Sequence, residues 1–281
     1  MSLQIIFVFL YVLFISFSSI VTKSALRKKN NPISFIAFHN LAGALIVLPL
    51  IFWDHRLPAG ILPWLFLLLG TLTSLLGDYF YFKSMSLEEV SVLTLVFRLR
   101  LVLVFILGAF FYNETVTPNK IMAMVFVTLG SIVINFKKGK FHFSKGVMFA
   151  IASNIFLGAM FVVDKKIASQ ISVPIYSFIN FSASGLFFLT LSLKRHQNSL
   201  TKVTNNVLLA QAIMAGCLLS LASLSRRYAF IHGEISFATP LLNLSMVLTM
   251  FLAILMLGER KKIFQKITGA ILVITGALIL G

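Results

Sequence analysis

Ten apolar stretches follow one another along the chain, separated by short polar segments. A helix needs about 20 predominantly apolar residues to cross the hydrocarbon core of a bilayer, and each stretch is close to that length. The pattern therefore predicts ten transmembrane helices, numbered here as spans 1 to 10. The spans are residues 3–21, 33–53, 61–82, 90–112, 120–136, 145–163, 174–193, 207–225, 235–257 and 262–280. All connections are short, which leaves no room for a soluble domain.

The pattern of the first half recurs in the second half. Residues 88–114 read EEVSVLTLVFRLRLVLVFILGAFFYNE, and residues 233–259 read GEISFATPLLNLSMVLTMFLAILMLGE. Each copy begins with an acidic turn, continues as an apolar span and ends on a glutamate. The copies lie five spans apart, and an odd number of spans per repeat reverses the orientation of the second copy in the membrane. We therefore predict an all-α integral membrane protein of two inverted five-helix repeats, residues 1–140 and 141–281.

Composition agrees with a protein that lies within a bilayer. Apolar residues make up 59% of the chain and charged residues 11%, a balance that does not suit a water-soluble core with a polar shell. The first apolar run is followed by basic residues and preceded by none, which indicates a retained helix rather than a signal peptide. The single cysteine, Cys217, excludes an intrachain disulfide, and no Cys/His cluster has metal-site spacing. The sequence predicts no metal and no cofactor.

Lysine and arginine are distributed unevenly between alternate loops. The loops after odd-numbered spans, with the adjoining helix ends, hold 16 of these residues, and the other loops hold 6. Because basic residues are enriched in cytoplasmic loops, we predict an inner (plasma) membrane protein with both termini outside the cytoplasm. The net charge of +16 is spread over loop ends rather than gathered on one face, so nucleic-acid binding is not expected.

The second copy of the repeat resembles a known family. The residues that carry the resemblance are LGE at 257–259, the basic loop after it, the glycine-containing helix ending GALILG, and GEISFATPLLNL with Pro240. These features are similar to the EamA repeat of the drug/metabolite transporter superfamily, and the similarity extends over nearly the whole chain. The resemblance implies ten helices around a central cavity that opens alternately to each side, and transport of small organic solutes. The first half departs from the pattern, because Leu95 stands in the place of Pro240.

Two arginines in span 4 are the strongest polar signal. An arginine at the centre of a transmembrane helix costs about 2.5–3.5 kcal/mol, so it is expected to have a protein or aqueous partner. Arg98 and Arg100 lie about 200° apart around the helix, so only one is expected to face a central cavity. The repeat aligns Arg98 with Asn243, and we predict that Arg98 contacts substrate. The alternative is that one arginine is a structural counter-ion, tied to Asp78 or to a backbone carbonyl.

Other polar and aromatic residues lie at a similar depth. Asp78 is either a proton-coupling carboxylate or the partner of a nearby base, and His39 either joins it or packs in the core. Asn154 either binds substrate or ties two helices together, and tyrosines near these positions are candidates for stacking on a substrate. The predicted substrate-binding residues are Arg98, Asn243, Asp78, His39, Asn154, Tyr79 and Tyr81.

Charged residues at the ends of spans are predicted to be structural. Glu114 and Glu259 each stand before the next helix, where a carboxylate satisfies free N–H groups and the helix dipole. Arg226 and Arg227 end span 8, and we expect them to extend towards the outer interface. The alternative for these arginines is a vestibule that attracts anions.

Taken together, the residues and the resemblance predict a secondary transporter. Its substrate is expected to be a small metabolite, an amino acid or another solute with an anionic group, moved by alternating access. No nucleotide-binding loop is present, and no motif or paired intramembrane carboxylates suggest an enzyme. A flippase for a lipid-linked sugar and a non-transporting membrane scaffold remain alternatives. Counter-transport of a proton or solute, and a homodimer, also remain open.

Overall fold

A computed structural model describes residues 2–26, 32–85, 87, 90–135, 144–195, 206–258 and 263–280. All regular structure in these ranges is helical. The helices are α1 (Ser2–Leu26), α2 (Pro32–Val47) with a 3₁₀ turn (Leu48–Phe52), α3 (Ile61–Met85), α4 (Val90–Tyr112), α5 (Pro118–Asn135), α6 (Lys145–Ala168), α7 (Val173–Arg195), α8 (Asn206–Ile231), α9 (Ile235–Leu242), α10 (Leu244–Leu257) and α11 (Ile263–Leu278).

The described helices overlap the ten predicted spans. Within the described ranges, seven helical segments are long and apolar enough to cross a membrane, and three further apolar helices are shorter. The shorter ones fall in spans 4, 5 and 10. The chain is therefore a multi-pass membrane protein.

Several predicted boundaries were wrong. Helices α1, α6 and α8 continue to Leu26, Ala168 and Ile231, beyond the predicted ends at 21, 163 and 225. The predicted ends stand near charged residues, which usually mark the boundary with water. Within α6 and α8, however, several of these residues have partners inside the protein. Span 9 also differs, because it is divided at Asn243 into α9 and α10. Pro240 has no backbone N–H to donate, which weakens the helix at this point.

Helices at equivalent positions of the two repeats pack against each other. On α2 and α7, the Oγ atoms of Ser34 and Ser192 lie 2.6 Å apart, while Gly43 further along α2 lies beside Phe181. As the residue number rises on α2 it falls on α7, so the pair is antiparallel. Helices α5 and α11 are antiparallel too, with Gly130 beside Gly269 and Gly276 beside Ala123.

Other large helix contacts occur in equivalent pairs, so that a contact between two helices recurs between their counterparts in the other repeat. Helix α1 packs along α8, and its repeat equivalent α6 packs along α3. Likewise α4 contacts α6, and the α9–α10 pair contacts α1. Each half therefore lies against the other along most of its length, and the core between them is built from both repeats.

One end of the bundle is held by ion pairs between the halves. The Nζ atom of Lys165 lies 2.9 Å from Oε1 of Glu114, and Lys120 pairs with Glu234. The Glu114 carboxylate also accepts hydrogen bonds from two backbone N–H groups at the start of α9, at 2.8 and 2.7 Å. The prediction that Glu114 caps the next helix of its own half is wrong, because Glu114 caps α9 of the other half. Glu259 lies outside the described residues.

These contacts also set the acidity of Glu114, which stands in the loop between α4 and α5. Burial disfavours the charged carboxylate, but the two N–H groups and Lys165 favour it more strongly, so the pKa of Glu114 lies below its ordinary value. The carboxylate is thus ionised at neutral pH and joins both halves at this end.

The contact between α2 and α8 leaves no space for a side chain at Gly216. A Cβ atom there would overlap the backbone carbonyl of His39, whereas a Cβ at Gly43 would lie 3.4 Å from its nearest neighbours. We expect Gly216→Ala to destabilise the fold by about 1–3 kcal/mol through overpacking. Gly43→Ala is the matched control and should be neutral or slightly stabilising. The measurement is the Tm of each purified variant in detergent; equal Tm values would contradict the close approach.

The cap formed by Glu114 predicts a pH-dependent stability. Because its pKa is lowered on folding, Glu114 stabilises the fold above its ordinary pKa of 4.5, and this contribution disappears as the pH falls through the folded value. A helix cap is worth about 1 kcal/mol, so Glu114→Gln should lower the Tm at pH 7 by roughly 2–4 °C. The difference from wild type should shrink below about pH 4.5.

The control for this prediction is Asp54→Asn. Asp54 pairs with Arg56 on an exposed loop, where the arginine side chain is 69% exposed, and exposed pairs contribute little. A difference between wild type and Glu114→Gln that stays constant with pH would rule out the proposed ionised cap.

Candidate solute-binding cavity

A cavity of about 210 Å³ lies between the two halves. Helices α1 to α4 and α6 to α8 contribute its walls. It is smaller than the roughly 300–1,000 Å³ typical of sites for drug-sized ligands, which suits a small metabolite. Its polar wall consists of Tyr11, Asn40, Ser74, Asp78 and Arg100 from the first half, and Asn180, Ser184, Ser223, Arg226 and Arg227 from the second.

A buried ion cluster supports one wall of the cavity. Nη2 of Arg226 donates to Oδ2 of Asp164 at 2.6 Å, and Nε of Arg227 lies 3.4 Å from Oδ1. The hydroxyl of Tyr176 also donates to Oδ1. The two guanidinium groups lie over aromatic rings, that of Arg226 at 3.5 Å from the centre of Phe161 and that of Arg227 at 4.0 Å from Tyr176.

The cluster corrects our expectation for Arg226 and Arg227. We predicted that they extend to the outer interface, but their side chains are only 5% and 1% exposed. Helix α8 continues beyond them to Ile231, so they lie more than one turn inside its end. Asp164 and the rings supply partners within the protein, and the arginines have no need of interfacial water.

Three residues that line the cavity each have a buried donor atom with no hydrogen-bond partner among the described residues. The donors are Nε of Arg100, Nε of Arg226 and Nδ2 of Asn180. Buried polar groups in proteins are almost always hydrogen-bonded, and an unsatisfied one costs about 1–3 kcal/mol. A cavity lined by three residues with unsatisfied donors is suited to a ligand that supplies several acceptor atoms.

The charges of the described side chains in this region do not cancel. Arg100, Arg226 and Arg227 contribute three positive charges, while Asp78 and Asp164 contribute two negative ones. The cavity wall and its supporting cluster therefore carry one excess positive charge if all five groups are ionised. An anionic group entering the cavity would balance it.

The two predicted charged residues of α3 and α4 have different outcomes. Asp78 lines the cavity together with Arg100. The side chain of Arg98, the arginine we favoured, lies outside the described residues, so its contact with substrate stays a prediction. His39 is on α2, but its ring stacks on Phe35 with centres 5.9 Å apart, and it does not line the cavity.

The two predicted asparagines make contacts within the helix bundle. Asn154 is buried on α6 and donates to the backbone carbonyl of Val96 on α4. Asn243 is buried at the break between α9 and α10, with Nδ2 3.5 Å from the carbonyl of Thr239. Neither lines the cavity, and their binding roles stay predictions.

The two predicted tyrosines also lie away from the cavity wall. Tyr79 is 37% exposed, and the Nζ atom of Lys83 lies 5.6 Å from its ring centre. Tyr81 is partly buried, with its ring centre 4.6 Å from that of Phe97. Tyr11, by contrast, does line the cavity.

Sequence reasoning missed Asp164, the centre of the ion cluster. It stands directly before Lys165 and Lys166, a context that resembles a solvated helix end. One signal was available, because the chain has only 8 acidic residues against 24 basic ones. An acid that close to an apolar span is a candidate partner for any intramembrane arginine.

Comparison with known proteins agrees with this architecture. The model of the EamA-like transporter family matches residues 2–136 and 144–281. A crystal structure of another protein superposes with a TM-score of 0.83 at 17% identity, covering 99% of this chain and 96% of that one; at this identity the likeness shows the fold alone. A search of curated proteins gave no match. The chain belongs to the EamA-like transporter family and is a membrane transporter of the drug/metabolite transporter type.

Proposed function

We propose that this protein is a secondary transporter for a small organic solute with an anionic group, such as an amino acid. The observation that carries the proposal is the set of unpartnered donors on Arg100, Arg226 and Asn180, which line one cavity. Guanidinium groups hydrogen-bond carboxylates and phosphates with charge assistance. A solute carboxylate or phosphate would satisfy these donors and balance the excess charge.

Asp78 gives the cavity a second chemical character. It is the one carboxylate among the described residues that line the cavity. In an amino acid it would face the ammonium group, while the arginines face the carboxylate. In a solute without an amine, Asp78 would instead be available to carry a coupling proton, so proton or solute counter-transport remains part of the proposal.

The helix packing supports alternating access between two inverted repeats. Equivalent helices pack antiparallel, as the Ser34–Ser192 contact and the Gly130–Gly269 contact illustrate. Antiparallel packing of equivalent helices is what a twofold axis in the membrane plane produces. We therefore retain ten spans in two inverted sets of five, in the inner membrane, with both termini outside.

The ion pairs at one end of the bundle would act as a gate. Glu114 and Lys120 belong to the first half, and their partners Lys165 and Glu234 belong to the second. Opening this end requires the halves to separate, so both pairs must break. With the orientation proposed from the basic residues, this is the outer end.

A counterflow screen in proteoliposomes tests the proposed substrate class. The panel contains amino acids, sugar phosphates, nucleosides and quaternary amines. We expect wild type to take up a solute with a carboxylate or phosphate, and Arg226→Ala to raise the apparent KM at least about 10-fold, because it removes a buried charged donor. Arg56→Ala, on an exposed loop, is the control and should leave transport unchanged. Uptake of only cationic solutes, unaffected by Arg226→Ala, would overturn the proposal.

Cysteine labelling tests the proposed gate. In a Cys217→Ser background, Ser223→Cys places a thiol on the cavity wall. Adding Glu114→Gln removes the charge partner of Lys165 at the proposed outer end of the bundle. This change should speed labelling by a membrane-impermeant maleimide applied outside intact cells. Adding Asp54→Asn instead should not. Faster labelling only from the cytoplasmic side would show that the orientation is reversed, and an unchanged rate from both sides would exclude Glu114 from the gate.

A further inference from the structure

Asp164 is the carboxylate at the centre of the ion cluster. Its side chain is 0% exposed, and it does not line the cavity. It accepts hydrogen bonds from Tyr176, Arg226 and Arg227. It therefore cannot touch a solute in the cavity, and any effect it has on transport must act through the arginines.

The two oxygens of Asp164 serve different arginines. Oδ2 accepts from Arg226, while Oδ1 accepts from Arg227 and from the hydroxyl of Tyr176. The carboxylate is thus held between two neighbouring residues of α8 and one residue of α7. This arrangement uses the negative charge as a bridge and leaves the cluster of Asp164 and two arginines with one positive charge.

The two arginines are restrained to different extents. Arg227 pairs with Asp164, donates to the hydroxyl of Ser177 and lies over the Tyr176 ring. Arg226 makes one ion pair through Nη2 and lies over Phe161, and its Nε has no partner among the described residues. Both arginines line the cavity, but Arg227 is restrained by more contacts within the protein than Arg226.

We propose that Asp164 is a positioning residue that orients the Arg226 guanidinium so that this group binds the anionic group of the solute. This inference rests on the proposed function, in which Arg226 contacts that group. By holding Nη2, Asp164 restricts the rotation of the planar guanidinium and so fixes the directions of its other N–H groups. A preorganised donor binds with a smaller loss of conformational freedom than a mobile one.

Charge and position make opposite predictions for Asp164→Asn. The substitution removes a negative charge behind the cavity, so electrostatics alone would strengthen anion binding. It also removes the acceptor that fixes Arg226, so loss of position would weaken anion binding. The sign of the change in affinity therefore identifies which effect governs the site.

The experiment measures equilibrium binding and counterflow of the anionic solute that wild type takes up best from the counterflow panel. We expect Asp164→Asn to weaken binding at least about 10-fold, the effect of disrupting a buried charged pair. Asp164→Glu, which restores the charge, should recover part of the affinity. A cationic member of the panel, choline, is measured alongside to detect a general change in the cavity.

Two further variants keep the test independent of folding. Asp164→Asn with Arg227→Met removes one charge of each sign, so the net charge of the cluster stays the same while Arg226 loses its anchor. Ser177→Ala releases only Arg227 and should leave solute affinity within about 2-fold of wild type. The double variant should bind as weakly as Asp164→Asn; if the single variant does not fold, the double variant decides the outcome.

The outcomes separate this inference from the proposed function. Wild-type affinity or tighter binding in Asp164→Asn and in the double variant, together with weak binding in Arg226→Ala, would overturn the positioning role alone. Unchanged affinity in Arg226→Ala would overturn the proposed contact with the solute, and the positioning role with it. We expect weaker binding in Arg226→Ala, in Asp164→Asn and in the double variant, with the affinity of Ser177→Ala near that of wild type.

Discussion

Three arginines and two aspartates lie inside the helix bundle, at or beside the cavity, where a charged group needs a partner within the chain. Transferring an arginine or a carboxylate from water into such an environment is expensive, and removing one partner of a buried pair leaves the other uncompensated. Asp164 meets this requirement for two arginines at once. Because its partners come from α7 and α8 while it belongs to α6, the cluster also fixes the relative position of three helices that line the cavity.

The incomplete pairing is as important as the pairing itself. Stability alone does not explain a buried guanidinium N–H without an acceptor. Apolar side chains of similar volume are often at least as stabilising as a buried ion pair. Arg100 and Arg226 nevertheless each keep a buried Nε without a partner among the described residues. Both residues line the cavity between the halves.

The repeats share their architecture but differ in their chemistry. If the repeat that pairs Glu88 with Gly233 is extended backwards, Asp78 aligns with Ser223, and both residues line the cavity. Tyr81 aligns with Arg226 in the same way. Equivalent positions therefore carry different side chains, and the two halves present unlike groups to the cavity. Such asymmetry suits a solute with chemically distinct ends.

The fold was predictable from the sequence because bilayer thickness sets helix length and the repeat gives helix order. Helix ends were less predictable, since Asp164 and Arg226 resemble solvated residues until their pairing is known. The partner of Glu114 was also hidden, because the cap on α9 joins residues more than 100 positions apart. For the site, the sequence identified Asp78, but the choice between Arg98 and Arg100 depends on the rotation of α4, which no local pattern specifies.

The most direct measurement of the central claim is a structure of the protein with its transported solute bound. The account predicts that a carboxylate or phosphate oxygen of the solute lies within hydrogen-bond distance, about 3 Å, of a guanidinium nitrogen of Arg226, with Arg100 or Asn180 as a second donor. A solute bound in the cavity with its anionic group away from these donors, or bound outside the cavity, would contradict it.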